Sequence, residues 1–107
     1  MTAAHLAVKE TRTGDDAVLI LTGEIDIATA GSLREAAQRA IAAPLERLVL
    51  DFAGVTFCDS QGLATLIAIN KEAQAAGSRL LIINVGAFMD RLLDVTGLRA
   101  AFEVKPA

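Results

Sequence analysis

Three short apolar runs, 17–22, 47–52 and 79–85, alternate along the chain with stretches of helical periodicity. Leu33, Ala36, Ala37, Ala40 and Ile41 fall on one face of a helix, with Arg34, Glu35, Gln38 and Arg39 opposite. Leu63, Leu66, Ile67 and Asn70 share a second such face with Ala73 and Gln74, and Phe88, Met89, Leu92 and Leu93 form a third. The apolar runs are short and rich in branched residues, so they read as strands inside a sheet. Strands alternating with helices over short connections imply βαβ units and a largely parallel sheet. A short strand at 6–9 before the Gly14-Asp15-Asp16 turn is expected as an antiparallel edge partner. A last strand is expected at 102–104.

The punctuation fits that order. Thr29 can cap the first helix, or Ser32 with Glu35 can form a capping box one turn later. Pro44 stops that helix. Gly54 begins the loop after the second core strand. Gly77 suits the residue after a helix end, and Gly97 suits a left-handed cap with Leu98 folding back onto the last turn.

With 107 residues there is room for one core, so 1–107 reads as a single domain with its core at about 6–105. An apolar content of 53% against 21% charged residues excludes a disordered chain. The net charge of −3, with basic residues scattered from Lys9 to Lys105, argues against a nucleic-acid surface. Four dispersed Phe residues, with no Trp or Tyr, give no base-stacking platform. The lone Cys58 cannot form an internal disulfide, which fits a reducing compartment. No signal-peptide pattern opens the sequence, and no apolar run approaches the roughly 20 residues of a membrane span.

The chemistry concentrates at 55–63, Val-Thr-Phe-Cys-Asp-Ser-Gln-Gly-Leu, between a core strand and a helix. A nucleophile elbow would read G-x-S-x-G and be followed by an acid and a histidine. Here Cys58 stands where the first glycine belongs, and the only histidine, His5, precedes the serine. Lys71 lies more than two helical turns further on. Ser60 therefore lacks the adjacent base that a serine nucleophile needs.

Two readings of Ser60 remain open. As a plain helix N-cap it is worth ~1 kcal/mol. As a phosphoacceptor it would bring about −1.5 to −2 charges to a helix N-terminus, where the dipole favours them. Neighbouring Asp59, and Asp26 at the end of another core strand, would oppose them. Gly23-Glu24-Ile25-Asp26 reads either as a strand end with solvated carboxylates or as a carboxylate pair. One His and one Cys far apart make no zinc site, and no phosphate-binding glycine loop occurs. Cys58 reads as a small apolar residue whose thiol pKa Asp59 would raise.

Asp59-Ser60-Gln61-Gly62-Leu63 resembles the D-S-x-G-L phosphorylation motif of STAS domains, specifically of bacterial anti-sigma factor antagonists. Gly23-Glu24-Ile25-Asp26 followed by Ala28-Thr29-Ala30 resembles that family's second-strand signature. Leu93, Thr96-Gly97-Leu98 and Phe102 resemble its C-terminal helix and last strand. Gln61 departs from the small residue usual at its position. Asn84-Val85-Gly86 and the large Phe88 depart from the usual turn before the third helix.

The resemblance implies an α/β domain with a mixed four- to five-stranded sheet and helices packed mainly on one side. It implies a cytoplasmic protein that is not an enzyme, needs no cofactor, metal, nucleic acid or membrane, and is a monomer or weak dimer. It implies that the unphosphorylated form binds an anti-sigma factor, often a serine kinase with a GHKL-type ATP fold, and so frees a sigma factor. Phosphorylation of Ser60 would loosen that complex and a PP2C-type phosphatase would reset it. Asp59, Gln61, Gly62, Asp26 and Thr29 would then be the partner-contact residues. The alternative within the family is an unphosphorylated scaffold or transporter-associated module.

Overall fold

The computed structural model describes residues 5–106, with the Pro106 side chain outside the description. Residues 1–4 and 107 of the expected domain lie outside the described residues. β1 (Leu6–Thr13) and β2 (Asp16–Ile25) form an antiparallel hairpin paired from Leu6↔Gly23 to Thr13↔Asp16, turning at Gly14 with φ of 60°. Then follow α1 (Ala30–Ile41), β3 (Arg47–Cys58), α2 (Ser60–Ala75), β4 (Arg79–Val85) and α3 (Ala87–Thr96). A short 3-10 turn, Arg99–Ala101, leads into β5 (Glu103–Pro106). The sheet order is β1-β2-β3-β4-β5, and every pairing after the first is parallel. The expected mixed sheet is therefore five-stranded.

The three helices close over one face of this sheet. Ala17, Leu19, Leu21, Leu48, Leu50, Phe52, Leu80 and Ile82 point into a single core with Leu33, Ala37 and Ala40 of α1. Leu63, Leu66 and Ile69 of α2, with Met89 and Leu93 of α3, complete it. The opposite face carries Lys9, Thr11, Val18, Ile20, Val49 and Leu81, by alternation in the register. Two ion pairs tie neighbouring strands there, Arg47 to Asp16 at 2.7 Å and Arg79 to Glu103 at 2.6 Å.

Helix ends follow local chemistry. Gly77 takes φ of 81° after α2, and the Ser78 amide returns to the Ala73 carbonyl at 2.8 Å. Gly97 takes φ of 72° after α3 while the Leu98 N–H donates to Leu93 O at 3.1 Å, the expected Schellman closure. Two helix faces differ from expectation. In α2, Ile69 is buried while Ile67 is half-buried and Gln74 exposed. In α3 only Met89 and Leu93 are buried, and Phe88 points outward. Leu92 is half-buried against the core, and Phe88, at the edge of the apolar arc, turns to Phe57 instead.

The largest correction concerns β3. It does not end at Phe52 before a loop begun by Gly54 but runs on to Cys58, pairing Gly54 with Thr22 and Cys58 with Ile25. The register against β2 shifts between Ile20 and Thr22 and again between Gly23 and Glu24. Glycine is required at this irregular crossing. A β-carbon on Gly54 would lie 2.8 Å from the Leu21 carbonyl oxygen, and one on Gly23, whose φ is 122°, would lie 2.1 Å from the His5 carbonyl oxygen. Gly54 thus marks a bulged, closely packed strand rather than its end.

Candidate functional site

The extended β2 and β3 deliver their last residues side by side. Ile25 pairs with Cys58, and the Asp59 amide donates to the Ile25 carbonyl at 3.2 Å. This bond ties the β2–α1 loop to the turn that opens α2, so Asp26 and Ser60 belong to one end of the sheet. Gln61 is exposed on the first turn of α2 and Asp59 is half-buried.

The N-cap of α2 is Asp59, not Ser60. Its Oδ1 accepts the amides of Gln61 and Gly62, each at 3.0 Å, and its carbonyl accepts the Leu63 amide at 3.0 Å. Ser60 is the first residue inside the helix, exposed, and its hydroxyl has no hydrogen-bond partner among the described residues. A carboxylate one residue earlier, in extended conformation, accepts from the second and third amides of the helix, so it displaces the serine from the capping role. Thr56 differs from Ser60 in this respect, since its hydroxyl donates to the Gly23 carbonyl at 3.3 Å.

Gly62 is buried. A β-carbon there would sit 2.6 Å from Cys58 Sγ and 2.9 Å from both Ile25 O and Ile25 Cγ2. Gly62 is therefore needed for the helix to approach β2, and it offers little contact surface to a partner. Cys58 is buried, as expected, and its thiol pKa is pushed up to about 12, first by burial and then by the charge of Asp59.

The β2–α1 loop is closed by its own side chains. Asp26 Oδ1 accepts the amides of Ala28 at 2.8 Å and Thr29 at 3.2 Å. The Thr29 hydroxyl donates to the Glu24 carbonyl at 2.8 Å and accepts the Asp26 amide at 3.0 Å. Thr29 occupies the N-cap position of α1, but its side chain makes no capping bond, and Ser32 lies within the helix. Expected as a contact residue, Thr29 is buried with its hydroxyl engaged, so it shapes the loop from inside. Asp26 is half-buried and holds the same loop, leaving Ile27 at its exposed tip.

Asn84, in the segment that departs from the family's usual turn, has φ of 58° and donates from Nδ2 to Asp51 Oδ1 at 3.0 Å. Asparagine tolerates this left-handed geometry better than most side chains.

The family model described as "Mlab, STAS domain" matches residues 8–103. The chain belongs to the STAS domain family. This STAS domain is 30% identical over 102 residues to the anti-sigma-B factor antagonist of Listeria monocytogenes, covering 94% of this chain and 87% of the relative. It is 32% identical over 88 residues to the anti-sigma-F factor antagonist RsfB of Mycobacterium tuberculosis, covering 82% and 71%. Its fold superposes with a TM-score of 0.81 on the crystal structure of an anti-sigma factor antagonist from Mycobacterium paratuberculosis, at 27% identity over 96% of this chain and 87% of that one. Among the described residues no helix is long and apolar enough to cross a membrane.

Beside the motif lies a feature that sequence reasoning missed. Phe57 is exposed at the end of β3, and its ring centroid sits 6.2 Å from that of Phe88 in the first turn of α3. Reading Gly54 as the end of the strand hid it, because Phe57 then fell in a loop with no assigned direction.

Proposed function

We propose that this STAS domain is an anti-sigma factor antagonist whose partner binding is switched off by phosphorylation at Ser60. The unphosphorylated domain binds an anti-sigma factor, and so frees a sigma factor. A GHKL-type serine kinase activity of that partner modifies Ser60, and a PP2C-type phosphatase reverses it. The observation that carries this reading is the exposed, unbonded Ser60 hydroxyl on the first residue of α2. A hydroxyl outside the fold's own hydrogen bonding can be modified without dismantling the helix cap.

The surroundings supply the switch. Asp59 already occupies the amides of Gln61 and Gly62, so a phosphate on Ser60 finds two of the helix-end donors taken. Added beside the Asp59 carboxylate, its charge stays at the surface that a partner must cover. A buried, unpaired charge costs several kcal/mol after relaxation, and each ~1.4 kcal/mol is tenfold in affinity. One phosphate can therefore weaken the complex by a hundredfold or more. The relatives named as anti-sigma factor antagonists support the same role.

The test is titration of the purified anti-sigma factor of the same genome against wild type, Ser60→Ala and Ser60→Asp, with mass spectrometry after incubation with the kinase and ATP. Tight binding by wild type and Ser60→Ala, weak binding by Ser60→Asp, and phosphate on Ser60 are expected. Label on Thr56, or equal affinities for all three, would refute the assignment.

A further inference from the structure

We infer that the same partner also fills an apolar groove on α3, lined by Phe88, Arg91, Leu92 and Val95 and joined to the end of β3 by the Phe57–Phe88 contact, with an apolar side chain flanked by a carboxylate. This rests on the reading above and extends its contact surface onto α3.

Among the described residues, Phe57, Phe88 and Val95 are large apolar side chains with 43%, 47% and 76% of their surface exposed. On α3, Phe88, Arg91, Leu92 and Val95 follow i, i+3, i+4, i+7 spacing and line a shallow groove of about 200 Å³, while Met89 and Leu93 face the core. α3 thus carries a second apolar stripe beside its core-facing one, with Phe88 and Val95 exposed and Leu92 half-buried between stripe and core. Scattered exposed apolar residues are ordinary, but side chains gathered into one groove mark a contact surface.

Continuity selects the occupant. Phe57 stands three residues before Ser60 and packs on Phe88, so groove and acceptor form one surface. Size points the same way. A specific interface covers about 800 Å² and roughly 20–30 residues on each partner. The exposed positions of the motif segment and the β2–α1 loop, Thr56, Phe57, Ser60, Gln61, Ala64, Ile27 and Ala28, are fewer than that number. Aromatic residues and Arg are enriched in the centres of such interfaces.

Charge sets the chemistry of the contact. Asp90 and Asp94, the acidic neighbours of Arg91 on α3, are both held by Arg99, at 2.5 Å and 2.7 Å. Arg91 forms no ion pair among the described residues, so the groove presents one cation whose complement is a partner carboxylate.

The test measures dissociation constants of the purified anti-sigma factor for the full chain as wild type, Phe88→Ser, Arg91→Glu and Ser60→Asp, with sedimentation velocity of each free variant. Both groove variants change exposed side chains, and a thermal melt checks that each is folded. Phe88→Ser is expected to weaken binding at least tenfold, and Arg91→Glu severalfold, with all free variants sedimenting alike. If Ser60→Asp weakens binding while both groove variants stay within twofold of wild type, the groove assignment is overturned and the Ser60 reading stands. If Phe88→Ser weakens binding and Ser60→Asp does not, the groove stands and the charge switch fails. Conversion of a wild-type dimer to a monomer by Phe88→Ser would assign the groove to a second copy of this chain and overturn the inference.

Discussion

Asp59 Oδ1 accepts the backbone amide of Gly62 at 3.0 Å, across the first turn of α2. The bond divides labour between adjacent residues: Asp59 secures the helix and Ser60 is left free.

That division is measurable. Asp59→Ala leaves the Gln61 and Gly62 amides without their acceptor and should lower stability by ~1 kcal/mol. For a domain of this size that is roughly 4–8 °C in melting temperature. Ser60→Ala should stay within about 0.5 kcal/mol of wild type, since it removes no bond. Parallel thermal melts decide it, and a larger loss from Ser60→Ala than from Asp59→Ala would return the capping role to the serine.

Gly62→Ala should be worse than helix propensity suggests. Alanine ordinarily favours a helix over glycine, yet here its β-carbon meets Cys58 Sγ and the Ile25 backbone below 3.0 Å. Overpacking of this kind costs about 1–3 kcal/mol. Cys58→Ala relieves only the sulfur contact, so the double variant should recover part of the loss in urea denaturation, and full recovery would exonerate Ile25.

At Ser60 the charge, rather than the bulk, should matter for binding. Ser60→Asn, similar in size to Ser60→Asp but neutral, is expected to bind the anti-sigma factor closer to wild type than Ser60→Asp does. Equal weakening by both would point to steric blocking.

Burial of the Cys58 thiol makes a pH prediction. Its folded pKa, about 12, lies above the ordinary value of 9.0, so folding favours the neutral thiol. The resulting stabilisation is complete below pH 9 and is lost as pH rises towards 12. Urea midpoints followed from pH 8 to 11 should therefore fall more steeply for wild type than for Cys58→Ala. Native protein at pH 8 should react with Ellman's reagent only as fast as it unfolds.

The apolar runs and helical periodicities were enough to read the βαβ order, because each element's buried face repeats with its own period. Strand ends were less legible. Gly54 looks like punctuation in one dimension, whereas its reason is the Leu21 carbonyl pressed against it from another strand. The motif Asp59-Ser60 allowed either residue to cap α2, since both have suitable oxygens, and only backbone conformation decides between them. Asp26 and Thr29, expected to face a partner, bond within their own loop, and composition cannot distinguish a side chain that closes its own loop from one that faces outward.

Strand order in space equals strand order along the chain, and that has a kinetic consequence. Each pairing closes either a tight hairpin or a segment holding one helix, so no early contact waits for a distant piece of chain. Loop-closure costs stay small and collapse can proceed from the N-terminal hairpin onward. The Asp59–Ile25 link that sets the Ser60 turn needs only β2, α1 and β3, so this end of the sheet can assemble before β4, α3 and β5 have joined it.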